Sequence, residues 1–151
     1  MIELSELTTG DKIAVPNDGS NRARALMLLE QAGLIKLAEG VGMQATILDI
    51  VENNIGLQIV EMEAAQIAGV RDSVAMAVIN GNYALQAGLF AGNDGIVAED
   101  ASNATVYTNV LVVKEGNENS EKTKALVAAL QSEYVKEYIN STFPGSVVPS
   151  F

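Results

Sequence analysis

Short apolar runs alternate with short amphipathic segments along the first hundred residues, and few folds accommodate such an alternation. The apolar runs predict strands at 12–15, 56–62 and 75–80. The segments between them predict helices that start near residue 20 and that cover 45–53, 63–73 and 82–89. The run AMAVIN at 75–80 is nearly all apolar, which is typical of a central strand in a parallel sheet. The sequence therefore predicts an α/β fold with a mostly parallel sheet.

The remainder of the chain predicts two more strands, at 95–99 and 109–116, and one long amphipathic helix over 119–143. Asn119 or Ser120 is expected to cap this helix. Four of its residues share one face at helical spacing, and we expect that face to point inward. These residues are Val127, Leu130, Tyr134 and Tyr138.

Charge and composition exclude several classes of function. A net charge of −10 argues against binding to nucleic acid or to anionic lipid, because both need clustered basic side chains. The chain has no Cys and no His, which removes thiol catalysis, disulfides, the usual zinc sites and any His-based triad. With 151 residues and 48% apolar content, it can form one domain with a core. The first residues do not form a signal peptide, so either the chain is cytoplasmic or a leading segment precedes it.

Two arginines stand close together where the first helix begins, in the stretch AVPNDGSNRARALMLLEQAG at 14–33. Ser20 or Asn21 is expected to cap this helix, which places Arg22 and Arg24 in a first turn without an acid. The helix macrodipole disfavours that charge. A carboxylate or phosphate bound at the helix start would explain it, and so would arginines that are solvated or paired with nearby acids. Neither of the common glycine-rich phosphate motifs is present.

Two asparagines lie at comparable positions, because ligands in open α/β sheets bind beyond the carboxyl ends of the strands. Asn80 stands at the end of a predicted strand and either caps the next helix or contacts a ligand. Asn109 is either an ordinary turn residue at the start of a strand or a third contact. If these positions converge with the arginine loop, they form a binding site. The carboxylates are scattered without a paired spacing and no nucleophile has a base beside it, so we predict a binding protein and not an enzyme.

Several blocks of the sequence resemble the NlpA family, the methionine-binding lipoproteins of bacterial ABC importers. The resemblance rests on IAVPNDGSNRARALMLLEQAGLIKL, ILDIVEN, IVEMEAAQ, AVINGNYALQAGL, VYTNVLVVKEG and ALQSEYVKEYINSTFPGSVVPSF, in this order along nearly the whole chain. It implies the fold of a type II periplasmic binding protein, in which two α/β lobes close on free methionine. In that comparison, residues 8–103 correspond to the second lobe, and residues 104–151 are a crossover strand and C-terminal helices that belong to the first lobe.

The resemblance also implies a set of ligand contacts. Arg24 matches the arginine that holds the α-carboxylate of the ligand, and Asn80 and Asn109 match asparagines that hold its amino and carboxylate groups. Asn21 and Asn17 lie in the same loop as Arg24 and are weaker candidates. No cofactor and no metal are implied. The implied partners are L-methionine or a close analogue and the permease and ATPase subunits of an importer. An alternative is a ligand-sensing regulatory domain with the same fold that binds a small amino acid or an anion.

The sequence departs from the family at several points, among them Ala68 and Gly69, which replace a Pro-Arg pair common in the family. Gly19 stands where the family often has proline. The chain also begins close to where the second lobe begins, so the lipidated cysteine that anchors an extracytoplasmic lipoprotein and the residues that enclose the methionine side chain lie outside it. We therefore expect weak methionine binding by this polypeptide alone, and self-association through apolar side chains of its C-terminal helix.

Overall fold

A computed structural model describes residues 3–99 and 108–151. The chain divides into two compact units, Met1–Ala98 and Glu99–Phe151. The division of the chain into a lobe at 8–103 and a return segment at 104–151 stays a prediction. The first unit contains β1 (Lys12–Pro16), α1 (Gly19–Gln31), β2 (Lys36–Leu37), β3 (Ile50–Glu52), β4 (Gln58–Met62), α2 (Ala64–Val70), β5 (Met76–Ala77), α3 (Gly81–Gln86) and α4 (Ala91–Asp94). The second unit contains α5 (Glu121–Leu130) and α6 (Glu133–Thr142).

A parallel sheet organises the first unit, and its strand order is β4-β1-β5. Helices follow each of these strands, so the predicted α/β class is confirmed. The central strand is β1, whose residues from Ile13 to Pro16 are buried. The prediction that 75–80 forms the central, buried strand is wrong. Only Met76 and Ala77 form a strand there, they are half-buried, and they lie at the edge of the sheet, because a hydrophobic run cannot by itself specify strand order.

Backbone hydrogen bonds set the register of β5 against β1. Ile13 pairs with Met76, and Ala14 pairs with Ala77. The N–H of Ala75 donates to the carbonyl of Lys12, and the N–H of Val78 donates to that of Ala14, both at 2.9 Å. The carboxyl ends of β1 and β5 consequently lie side by side at one edge of the sheet.

The core lies between β1 and α1. Every side chain of α1 that is buried comes from one helical stripe, which includes Leu26 at 0% exposure. Helical spacing predicts that Ala25, Leu28, Leu29 and Ala32 share the inner face of this helix. The prediction is confirmed for Ala25 and Leu29, whereas Leu28 and Ala32 are half-buried. The buried apolar cluster consists of Leu7, Ile13, Val15, Ala23, Ala25, Leu26, Leu29, Leu34, Ile35, Leu37, Ala45 and Leu57.

The predicted helix at 45–53 is wrong, because the segment divides into a short 3-10 turn, Ile47–Asp49, and strand β3, which pairs antiparallel with β2. The side chain of Asp49 accepts hydrogen bonds from the backbone N–H of Thr46 at 2.8 Å and from its hydroxyl at 2.7 Å. These two bonds close the turn and are the main reason that the pKa of Asp49 is lowered. The β-branched residues Ile50 and Val51 then continue as strand.

The predicted strands at 95–99 and 109–116 are also wrong, since the structure assigns no strand to either segment. Both patterns are apolar enough for a strand, but a strand forms only where a neighbour satisfies its backbone groups. Within the described parts of the chain, neither segment has such a neighbour.

The single helix predicted over 119–143 is two helices in the structure, α5 and α6. Ser120 caps α5 as predicted, because its hydroxyl accepts from the N–H of Thr123 at 3.2 Å. Ser132 starts a second helix in the same way, accepting from the N–H of Val135 at 3.4 Å. Serine competes for backbone donors in this manner, which favours a new helix start over continuation.

The apolar side chains that were predicted to share an inward face are exposed. The exposed fractions are 36% for Val127, 47% for Leu130, 77% for Tyr134 and 52% for Tyr138. The prediction that this face points inward is therefore wrong for the second unit, because all four side chains are exposed. None of the helices in the described ranges is long and apolar enough to span a membrane.

Replacing Gly19 with proline should stabilise the protein by about 0.5–1 kcal/mol. Gly19 is the first residue of α1, where proline is favoured, and the preceding Asp18 already has the extended backbone (φ −76°, ψ 146°) that a following proline requires. A Cβ at Gly19 meets nothing within 4 Å. Urea denaturation measures the change.

The matched control is the same substitution at the other end of α1. Gly33 has φ +74°, which proline cannot adopt, and its N–H donates to the carbonyl of Glu30 at 2.8 Å. Gly33→Pro should therefore destabilise the protein. A Gly19→Pro variant that loses stability in the same assay contradicts the assigned helix start.

Candidate functional site

The loop that joins β1 to α1 carries Asn17, one of the two weaker predicted contacts. Its backbone N–H donates to the carbonyl of Met62 at 2.9 Å and extends the pairing of β1 with β4 by one bond. Its side chain is exposed. Asn17 therefore lies at the carboxyl edge of the sheet, and its clearest role in the first unit is the backbone bond.

Helix α1 begins earlier than the sequence indicates, since Asp18 is its N-cap and neither Ser20 nor Asn21 is. The Asp18 carboxylate accepts from the backbone N–H of Asn21 at 3.2 Å and from its side-chain amide at 3.1 Å. Desolvation would raise the pKa of Asp18, but the hydrogen bonds from Asn21 and Ser20 outweigh it, so the pKa is lowered from 3.8. The negative charge that the macrodipole favours is therefore present at the helix start, and Arg24 lies in the second turn.

Arg22 forms an ion pair with an acidic side chain of the first unit. Its guanidinium Nη1 donates to Oε1 of Glu61, on strand β4, at 3.2 Å, and both side chains are about three-quarters buried. The pairing joins the start of α1 to the adjacent strand. The Nε of Arg22 is buried without a hydrogen-bond partner among the described residues. Of the two interpretations that the sequence left open, pairing with a nearby acid holds for Arg22.

Asn80 occupies the N-cap position of α3, but its side chain makes no capping bond. The side-chain Nδ2 donates instead to Oδ1 of Asn21 at 2.9 Å, across 59 residues of sequence. The Oδ1 of Asn80 is buried and has no partner among the residues that the structure describes. The ordinary capping role is therefore excluded for this side chain, and an unsatisfied acceptor lies at the carboxyl edge of the sheet.

Arg24 follows Asn21 by three residues on α1, which puts the two on the same helix face with their Cβ atoms about 5–6 Å apart. Its side chain is half-buried. The first unit thus brings together three of the predicted contacts, because Asn21 touches Asn80 and lies beside Arg24. Asn109 belongs to the second unit and is exposed.

The guanidinium of Arg24, on α1, and the buried carbonyl acceptor of Asn80 suit a small ligand that has both an anionic and a cationic group. Two shallow depressions in the first unit are lined by other residues, at 40–44 with Asp49 and at 33–36 with 52, 54 and 55. Asn21, Arg24 and Asn80 form a better candidate site than these depressions, because Asn80 has a buried acceptor without a partner in the described residues. Within 3–99 and 108–151, no three acidic side chains are grouped so as to hold a metal ion.

Asp18 is the residue of this region that the sequence interpretation missed. The signal was present, since aspartate is among the residues most favoured at a helix N-cap. The contact between Asn21 and Asn80 carried no signal in the sequence, because it depends on the parallel pairing of β1 with β5.

Comparison with known proteins places the chain in a family. The model of the NlpA lipoprotein family matches residues 1–151, which is the whole chain. The chain belongs to the NlpA lipoprotein family. The predicted resemblance is thereby confirmed.

Members of the NlpA family with known names or structures are similar over nearly the whole chain. The D-methionine-binding lipoprotein MetQ of Escherichia coli is 46% identical over 147 residues, which are 96% of this chain and 54% of that protein. A nutrient-binding protein from Burkholderia cenocepacia, whose structure has methionine bound, is 44% identical with a TM-score of 0.86, over 99% of this chain and 62% of that one. The chain spans about half the length of the curated relatives that it matches.

The fold comparison agrees with the family. A periplasmic substrate-binding protein of an ABC transporter from Coxiella burnetii is 42% identical, with a TM-score of 0.87 over 98% of this chain and 61% of that chain. The α/β fold of periplasmic substrate-binding proteins, which the resemblance implied, is therefore the fold of this NlpA family member.

Proposed function

We propose that this chain is part of an extracytoplasmic solute-binding protein and binds the α-ammonium and α-carboxylate groups of free methionine. The observation that carries the proposal is the buried, unsatisfied Oδ1 of Asn80, whose side chain contacts Asn21 on α1, the helix that also carries Arg24. A buried acceptor without a partner costs free energy that a hydrogen-bond donor on a ligand can recover. Methionine has such a donor, its α-ammonium group, next to a carboxylate.

The residues are assigned roles by their chemistry. Arg24 binds the α-carboxylate, because a guanidinium fork matches the two oxygens of a carboxylate. Asn80 accepts a hydrogen bond from the α-ammonium through Oδ1. The role of Asn109 rests on the family resemblance alone and stays a prediction. Asn21 supports Asn80 through a hydrogen bond. Asn17 stays a weaker candidate for a ligand contact.

The wider role follows from the names of the relatives. The Escherichia coli relative is named a D-methionine-binding lipoprotein, and the Coxiella burnetii protein is named a periplasmic substrate-binding protein of an ABC transporter. We infer that the intact protein is anchored outside the cytoplasm as a lipoprotein and delivers its ligand to the permease and ATPase of an importer. These names support a binding protein over an enzyme, and they do not favour the alternative of a regulatory domain.

Self-association of this polypeptide stays a prediction. The exposed apolar side chains of α5 and α6 support it, because a large contiguous apolar surface promotes association. A monodisperse monomer in light scattering at micromolar concentration contradicts it.

Calorimetry with L- and D-methionine on the full-length protein tests the proposed function. We expect binding of at least one enantiomer, and we expect Asn80→Leu to weaken it by at least about tenfold, since a hydrogen bond to a charged group is lost. Asn82→Leu is the matched control, because Asn82 is exposed in the same helix and should leave the affinity unchanged. A protein that binds neither enantiomer, or an Asn80→Leu variant with undiminished affinity, refutes the proposal.

A further inference from the structure

Three side chains form a continuous hydrogen-bonded series from the start of α1 to the start of α3. Asp18 Oδ2 accepts from Nδ2 of Asn21 at 3.1 Å, and Oδ1 of Asn21 accepts from Nδ2 of Asn80 at 2.9 Å. The Oδ1 of Asn80 ends the series, buried and without a partner in the described part of the chain. We call this series the Asp18 relay.

The donors and acceptors of the relay can be arranged in only one direction. An ionised carboxylate accepts hydrogen bonds and cannot donate, so Asn21 must turn its NH2 group towards Asp18. The carbonyl oxygen of Asn21 then faces Asn80, which must in turn offer its own NH2 group. Reversing either amide would bring two oxygens or two NH2 groups together. The charge on Asp18 therefore decides which atom of Asn80 is left for a ligand, and that atom is the oxygen.

The relay also explains why Asn80 does not cap its helix. Asparagine at an N-cap normally accepts from a backbone N–H of the first turn, and the backbone of Asn80 has the extended conformation of a cap (φ −64°, ψ 141°). The carbonyl of Asn80 accepts from the N–H groups of Tyr83 and Ala84, so the helix start itself is formed. The side chain of Asn80 donates to Asn21 instead and makes no bond to the backbone N–H groups of its own helix. Its carbonyl oxygen is therefore left unsatisfied.

We propose that Asp18 and Asn21 are positioning residues that make the site selective for a ligand with an ammonium group. They do so by fixing the carbonyl oxygen of Asn80 towards the ligand. This inference rests on the proposed function, in which Asn80 Oδ1 accepts from the α-ammonium. The hydrogen bonds of the relay polarise one another, which strengthens the acceptor at its end. A ligand without an ammonium group gains nothing from this orientation.

Asp18→Asn tests the relay with an isosteric change. Asparagine is as good an N-cap as aspartate, so the helix start should be retained and the melting temperature should stay close to that of the wild type. Its side chain can present an NH2 group to Asn21, which removes the fixed direction of the relay. We expect calorimetry on the full-length protein to show methionine binding weakened by about tenfold. The Kd of 4-methylthiobutanoate, which is methionine without its amino group, should stay within about twofold, measured by competition where direct binding is weak.

Two further variants separate the relay from other effects of Asp18. Asn21→Ala keeps the charge of Asp18 and interrupts the relay, so it should lose the discrimination between the two ligands as Asp18→Asn does. If it keeps the discrimination, Asp18 acts through space and the relay is refuted. Ser20→Ala is the control, because Ser20 Oγ donates to the other carboxylate oxygen at 3.5 Å and lies outside the relay. Its affinity for both ligands should be unchanged.

The outcomes distinguish this inference from the proposed function. If the wild type binds methionine and Asp18→Asn binds it equally well, the relay is wrong and the proposed function stands. If Asp18→Asn weakens both ligands to the same extent, Asp18 has only a structural role, and the relay is again wrong. If the wild type binds no methionine, both are refuted.

Discussion

Replacing Arg24 with alanine in the full-length protein should weaken methionine binding by about 100-fold or more. The guanidinium is assigned to the α-carboxylate, and its loss leaves that charge desolvated and without a partner in a closed site. Arg24→Lys should recover part of the affinity, because it restores the charge without the two-pronged geometry. Isothermal calorimetry measures the three affinities.

Arg22→Ala is the matched control, two residues away on the same helix. Arg22 pairs with Glu61 at 3.2 Å, so its loss should cost about 1 kcal/mol of unfolding free energy and leave the affinity within about threefold. The two substitutions should therefore have different effects: Arg24→Ala should mainly weaken binding, and Arg22→Ala should mainly lower stability. If Arg22→Ala weakens binding more than Arg24→Ala does, the two assignments are reversed.

The second large effect should come from the core beneath the site. Leu26 lies on α1 at 0% exposure, and Leu26→Ala should lower the free energy of unfolding by about 3 kcal/mol, because it removes buried methyl groups and leaves a cavity. Leu48→Ala makes the same chemical change at 90% exposure and should cost less than about 0.5 kcal/mol.

Urea denaturation of the two leucine variants in this chain, at the same protein concentration, gives the comparison. Equal losses for Leu26→Ala and Leu48→Ala would mean that α1 does not pack against β1 as described. The proposed site would then also be in the wrong place, because α1 carries both Asn21 and Arg24.

The sequence could predict those parts of the fold that depend on local pattern. Strand β1 and helices α1, α2 and α3 follow from short apolar runs, apolar periodicity and terminal glycines. The start of α1 could have been found as well, since Asp18 and Asn21 have the spacing of a cap, but Ser20 and Asn21 are nearly as good and lie closer to the apolar stripe.

Non-local pairing could not be predicted. The segment 95–99 has the composition of a strand, and β5 has that of a central strand, yet both outcomes depend on which neighbours are present. Ser132 illustrates the opposite difficulty. It lies in a continuous amphipathic pattern, and only its bond to the N–H of Val135 shows that one helix ends and another begins.

The same distinction between local pattern and non-local pairing applies to the candidate site. Residue chemistry and position identified the loop of Arg24, Asn80 and Asn109, and the family resemblance supplied methionine as the ligand. Neither could reveal that Asn80 contacts Asn21, because the two are 59 residues apart and meet only through the register of the sheet. Nor could either assign Glu61 to Arg22, for the same reason.

The shortness of β5 has a consequence for how the site can be observed. Strand β5 contributes only two residue pairs to the sheet, and the amides of Ala75 and Val78 flank them. A slip of one residue would turn Asn80 to the opposite face. The exchange rates of these two amide protons in heavy water therefore report how often the site comes apart. A ligand bound to Asn80 should slow that opening. The exchange rates of the two amide protons should therefore report whether the site is occupied, without any added label.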